Sequence, residues 1–105
     1  HLSAWIEAAV AEAPNYTLAA RLLREVELTD DERDRMDENL QVNIGFVADL
    51  ARRAAPHLSQ AAARELASTM INVALAPALT GLEPSPEALR RELRLLLRGY
   101  GVVVS

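Results

Sequence analysis

From Ser59 to Gly81 the chain reads SQAAARELASTMINVALAPALTG, and its polar positions thin out after Thr69. The first two turns set Arg64, Glu65 and Ser68 against Ala63, Leu66 and Ala67. Beyond them Met70, Ile71, Val73, Ala74, Leu75, Ala76, Ala78 and Leu79 point all round a helix, broken mainly by Asn72. A helix that is apolar on every side has to be covered on every side. The pattern therefore predicts two buried faces. Leu66, Met70, Val73 and Pro77 are expected toward the domain's own core. Ala67, Ile71, Ala74 and Ala78 are expected toward another chain, where small side chains let a second helix come close.

The other elements follow from the same periodicity. Leu2, Ile6, Ala9, Val10 and Ala13 recur at 3.6-residue spacing, with Trp5 at the shoulder of the stripe. Pro14 is expected to end this first helix, because the residue before proline avoids the α region. Starting uncapped, it points to a piece of a longer protein. A second, short helix is predicted with Asn15 as cap, an apolar stripe of Leu18, Leu22, Leu23 and Val26, and an end near Leu28. Thr29-Asp30-Asp31-Glu32 then forms a capping box with acids in its first turn. The long helix it starts is expected to run to about Ala55, stopped by Pro56, with Gly45 as a place for a bend. Ser59 caps the Ala-rich helix, which Pro77 should kink or end, and Gly81 to Pro84 makes a turn. Ser85-Pro86-Glu87 starts a last helix carrying Leu89, Leu93, Leu96 and Leu97, with Gly99 as its cap. The expectation is one all-α domain over residues 1–105, a five-helix bundle.

Composition narrows what such a bundle does. Of 105 residues, half are hydrophobic but only 4% aromatic, a balance that favours helix. The net charge of −4 gives no electrostatic footprint for nucleic acid. No apolar run reaches the roughly 18 to 20 residues that span a bilayer. Zero Cys excludes disulfides, thiol nucleophiles and Cys-based zinc sites, and fits a cytoplasmic protein.

Catalytic patterns are missing: no HExxH, no Gly-rich phosphate loop, no placeable Ser-His-Asp set. No cofactor, metal or enzymatic activity is expected. His57 reads as a solvated loop residue beside Pro56. The acids Asp30, Asp31, Asp34, Asp37 and Glu38 read as a solvated helix start rather than a cation site.

More informative are polar residues at apolar positions: Asn39 and Asn43 on the long helix, Thr69 and Asn72 on the Ala-rich one, Glu92 on the last. A buried amide without a partner costs roughly 1–3 kcal/mol, so each needs one. The amides either fix register between helices or line a cavity whose apolar walls are Trp5, Phe46 and Met70. Glu92 sits either at the rim of its arc or against an Arg such as Arg64.

Taken together, "WIEAAVAEAP", "LAARLLREVEL", the acid-started long helix, the Ala-rich helix and "SPEALRRELRLLLRGYG" resemble the C-terminal regulatory domain of TetR-type transcriptional regulators. The resemblance covers nearly the whole chain and rests on helix order and texture. It implies that the last two long helices, about Ser59–Gly81 and Ser85–Arg98, pair with the same two of a second subunit. It also implies an inducer pocket among the preceding helices and a DNA-binding helix-turn-helix upstream, absent from this sequence. DNA would be bound only through that upstream domain. On this expectation the chain is an effector-sensing homodimerisation domain taking a small apolar or amphipathic effector. Trp5, Asn43, Phe46, Met70 and Asn72 are the pocket candidates, and Ala67, Ile71, Ala74, Ala78, Leu93 and Leu96 the dimer interface. The alternatives are a stand-alone helical protein–protein interaction module without ligand and, less supported for want of an acid–base pair, a helical enzyme subunit.

Overall fold

A computed structural model describes residues 2–81 and 85–104, and these are all-helical, with no strand among them. Four helices run in order: α1 Leu2–Arg24, α2 Asp30–Ala54, α3 Gln60–Thr80 and α4 Pro86–Gly99. The turn expected after Gly81 lies outside the described residues, as does His1.

The expected count of five fails at Pro14. The chain does not break there; α1 carries Pro14 in its interior, and Asn15 is a helical residue rather than a cap. Local preference opposes this, since proline has no N–H for the Val10 carbonyl and costs about 3 kcal/mol inside a helix. Packing outweighs it. Leu2, Ile6, Ala9, Val10, Ala13 and Thr17 are all buried, so one continuous stripe crosses the proline while the ring itself faces solvent. The Thr17 hydroxyl donates to the Ala13 carbonyl at 3.2 Å, which satisfies the one buried polar side chain of that stripe.

The other starts match their local chemistry. At Thr29 the hydroxyl accepts from the Glu32 N–H at 3.2 Å while Glu32 accepts from the Thr29 N–H at 3.1 Å, a complete capping box. That hydrogen bonding holds the Glu32 carboxyl below the usual carboxylate range. Ser59 and Ser85 cap α3 and α4 through the Ala62 and Ala88 N–H groups. Pro77 does not end α3, which continues to Thr80 and stops at Gly81 in the left-handed region, φ 73°. In α4, Gly99 is still helical. The left-handed residue is Gly101, φ 75°, with Gly101 N–H donating to the Arg98 carbonyl and Val102 N–H to that of Leu97. This is a Schellman end, and its hydrophobic partner is the buried Val102. Gly101 also has a steric reason: a Cβ there would stand 3.2 Å from His57 Nε2. His57, exposed in the α2–α3 loop, approaches the Tyr100 carbonyl at 3.3 Å and so ties that loop to the end of α4.

The Ala-rich α3 is central, packing against α1, α2 and α4, while α2 and α4 do not touch. Leu66, Ala67 and Met70 of α3 meet Ile6, Val47, Leu93 and Leu97 in the core, all with no exposed surface. Fully burying one such large side chain stabilises by about 1.5–3 kcal/mol. On the rim, Arg90 of α4 grips Glu7 of α1 through both Nε and Nη2, at 2.9–3.1 Å. The Arg90 hydrogen bond, then the Arg90 and Arg94 charges, hold the Glu7 carboxyl below its usual range. A lowered carboxylate pKa favours the folded state at neutral pH, and that contribution is lost as pH falls through the folded value. Both partners are solvent-exposed, so the link orients more than it stabilises.

The molecule measures 43 × 30 × 18 Å. Its radius of gyration of 14.4 Å exceeds the roughly 13 Å of a compact chain of about this length, so outer faces stay uncovered. The stripe expected of the second helix shows this: Leu18, Leu22 and Val26 are more than half exposed and Leu23 is 39% exposed.

Gly45 lies half-buried on α2 under Arg64, whose Nη2 donates to Gln41 Oε1 at 3.0 Å. A Cβ there would meet Arg64 Nη1 at an ordinary 3.9 Å. Gly45→Ala should therefore stabilise the fold by about 1 kcal/mol through helix propensity. Urea denaturation checks it; a lower midpoint would mean that Arg64 needs the gap.

Candidate functional site

Three helices leave a groove of about 620 Å³ between them. On α1, Trp5, Ala8, Ala9, Glu12 and Tyr16 line it, at the spacing i, i+3, i+4, i+7, i+11 of one helix face. Met36, Asp37, Asn39, Leu40 and Asn43 of α2 form the facing wall, and Ile71, Ala74 and Leu75 of α3 the floor. The lining is mostly apolar, with a few polar groups set among aromatic and aliphatic walls. Small-molecule sites have this composition and a volume of this order.

Its polar groups are two carboxylates, Glu12 and Asp37, two amides, Asn39 and Asn43, and the Tyr16 hydroxyl. None of the 11 basic residues lines the groove. Glu12 Oε2 accepts from Asn15 Nδ2 at 3.1 Å across one helical turn, which steadies the carboxylate. Neither Glu12 nor Asp37 forms an ion pair among the described residues.

Of the five pocket candidates, the structure brings Trp5 and Asn43 together here. Met70 is fully buried in the core and Phe46, 58% exposed, stands on α2 outside the lining. Asn72 is exposed on the outer side of α3. The expectation that the amides and Thr69 are buried polar groups in need of partners fails for a simple reason. Asn39, Asn43 and Asn72 are exposed, and the Thr69 hydroxyl donates to the Glu65 carbonyl of its own helix at 2.8 Å. Glu92 is also exposed, at the rim of its arc.

The face assigned to a partner chain is turned inward instead. Ala67 and Leu93 have no exposed surface, Ala74 and Ala78 keep 4–5%, Ile71 keeps 8%, and Leu96 is half-buried. Ala67, Ile71, Ala74, Ala78 and Leu93 are thus covered within the chain itself, and of the six only Leu96 keeps appreciable surface. The physical reason lies in the helical wheel: the two faces proposed for α3 are centred only about 100° apart, adjacent rather than opposite. The chain's own helices bury Leu66 and Met70 of the first face and all four residues of the second, Val73 and Pro77 of the first being only half-buried, and Ile71 and Ala74 floor the groove.

Periodicity missed Glu12, Tyr16, Met36, Asp37 and Leu75. A signal for the first two existed, since Glu12 shares the face of Trp5 two turns on and Tyr16 joins them as soon as α1 is allowed to run through Pro14. Among the described residues no group of three His, Asp or Glu side chains is placed to hold a metal, and no helix is long and apolar enough to cross a membrane. Comparison of the chain with protein-family models, with curated proteins and with solved structures found no match.

Proposed function

We propose that this chain is the effector-sensing and dimerisation domain of a TetR-like transcriptional regulator, acting on DNA through a helix-turn-helix upstream of the sequence described. The observation that carries the reading is the groove: an apolar-walled site of ligand size, bounded by three different helices. An occupant that prefers one separation of α1 and α2 shifts the equilibrium between arrangements by its differential affinity for them. In a two-fold dimer such a shift changes the spacing of the two DNA-reading heads.

Of the residues that periodicity picked, the dimer of this proposal keeps only Leu96 and otherwise uses the outward sides of α3 and α4. On α3 the outward side carries Ser68, Asn72, Ala76 and Leu79, the last 70% exposed. On α4, Arg90 turns one flank toward α1, leaving Ala88, Glu92, Leu95 and Leu96 on the opposite flank. These two strips give a four-helix contact between copies. Sedimentation velocity at tens of micromolar should show a dimer, and Leu79→Glu with Leu95→Glu should yield a monomer with an unchanged circular dichroism spectrum. A wild-type chain that sediments as a monomer overturns the dimerisation half of the proposal. A preceding stretch without a basic helix-turn-helix overturns the regulatory half.

A second reading, a helical interaction module without ligand, draws on the exposed Leu18 and Leu22 of α1 and Val26 just beyond its end. It requires a groove that takes no small molecule, which the probes below decide.

A further inference from the structure

The charge of the groove restricts what fits it. Glu12 and Asp37 contribute two carboxylates from facing helices, and no Arg from anywhere in the chain reaches the lining. Glu12 spends one oxygen on Asn15, leaving Oε1 without a protein partner among the described residues. Trp5 and Tyr16 stand on the same helix face, one residue set on either side of Glu12. Aromatic faces attract cations through the ring quadrupole and also bury apolar surface. An anionic ligand would meet two like charges with nothing to neutralise it. A neutral one would draw nothing from the charge of the two exposed carboxylates.

We infer that the occupant of this groove is a small lipophilic cation, an amine or quaternary ammonium carried on an apolar body. The inference rests on the ligand-sensing reading above and specifies its chemistry. The cationic head lies between Glu12 and Asp37, with the amide oxygens of Asn39 and Asn43 as further acceptors. The apolar body lies along Trp5 and Leu75. The inference commits to charge, and carboxylate or neutral ligands of the same body are the competing outcomes.

Trp5 is the only tryptophan in the chain and lies in the lining, so its emission reports occupancy directly. The probes are 4-phenylbutylammonium, 4-phenylbutanol and 4-phenylbutyrate, which share a body and differ in charge. Titrated at low salt, the ammonium should bind about tenfold more tightly than the alcohol, an effect of the size that exposed carboxylate and aromatic contacts give a cation. The butyrate should bind weakest. Glu12→Gln combined with Asp37→Asn should abolish the preference for ammonium over alcohol while the alcohol still binds. In wild type the preference should also shrink in about 1 M salt, where the screening length is roughly 3 Å. Alcohol or butyrate binding as tightly as the ammonium, or a preference indifferent to salt, overturns the cation inference and leaves the ligand-site reading standing. If none of the three perturbs Trp5 at millimolar concentration, the ligand-site reading itself falls, and the cation inference with it.

Discussion

Leu93→Ala should cost the fold about 2–5 kcal/mol, while Leu95→Ala, two residues along the same helix, should stay within about 0.5 kcal/mol. The first side chain has no exposed surface; the second is 55% exposed. Against a total stability of about 5–15 kcal/mol, the loss at Leu93 is a large fraction, and the urea midpoint should fall visibly. The same pair separates two accounts of α4. If Leu93 packs within its own chain, sedimentation under native conditions should give Leu93→Ala the same association state as wild type. If Leu93 sits between copies, the variant should dissociate with its monomer's helicity intact. Leu95 reverses these expectations, because the proposed contact between copies passes through it and not through Leu93.

What the sequence disclosed divides along a physical line. Signals that act within one turn of helix were legible. Thr29 and Glu32, Ser59, and Ser85 with Pro86 all stand where their hydrogen-bonding chemistry placed them, because a cap needs only its own next three residues. The central role of the Ala-rich helix was also legible, since an element apolar on most sides has to be surrounded; α3 packs against each of the other three. Which neighbour covers which side was not legible. That depends on where α1 and α2 lie, and periodicity carries no record of it. Ala67 and Ala74 read equally well as a close contact with a foreign helix or with α1, and the structure turns them inward. That the cap is Gly101 and not Gly99 was hidden for a related reason: the Schellman end is recognised by the buried Val102 that follows it, a tertiary contact.

The groove was half visible. Trp5 and Asn43 stood out as an aromatic and an amide at odds with their surroundings, and both line it. Phe46 and Met70 stand out only by size and hydrophobicity, which do not distinguish a core from a surface or a cavity wall. The carboxylates give no such signal, because an acid on an amphipathic helix is ordinarily a solvated one. Only the lack of any Arg in the lining, together with the facing helix, makes Glu12 and Asp37 notable, and both facts belong to three dimensions.

Pro14→Ala should stabilise the chain by about 1–3 kcal/mol, a change large enough to read in both the thermal and the urea midpoint. In α1 the substitution supplies the N–H that the Val10 carbonyl lacks and removes the ring's clash with the preceding turn. The side chain at this position faces solvent, so no packing is lost. Part of the roughly 3 kcal/mol propensity difference is offset, because alanine also frees the unfolded chain that proline had restricted. The outcome bears on the groove as well as on the helix. Trp5 and Glu12 precede Pro14 and Tyr16 follows it, so they share one wall only if α1 is continuous. Were the chain to break at Pro14 with Asn15 as a cap, alanine there would gain no helical hydrogen bond and would lose the rigidity of the turn. Stability would then fall, Trp5 and Tyr16 would lie on separate elements, and Tyr16→Ala would leave ammonium binding at Trp5 unchanged. A continuous helix gives the opposite pair of results: a raised midpoint for Pro14→Ala, and weaker ammonium binding for Tyr16→Ala.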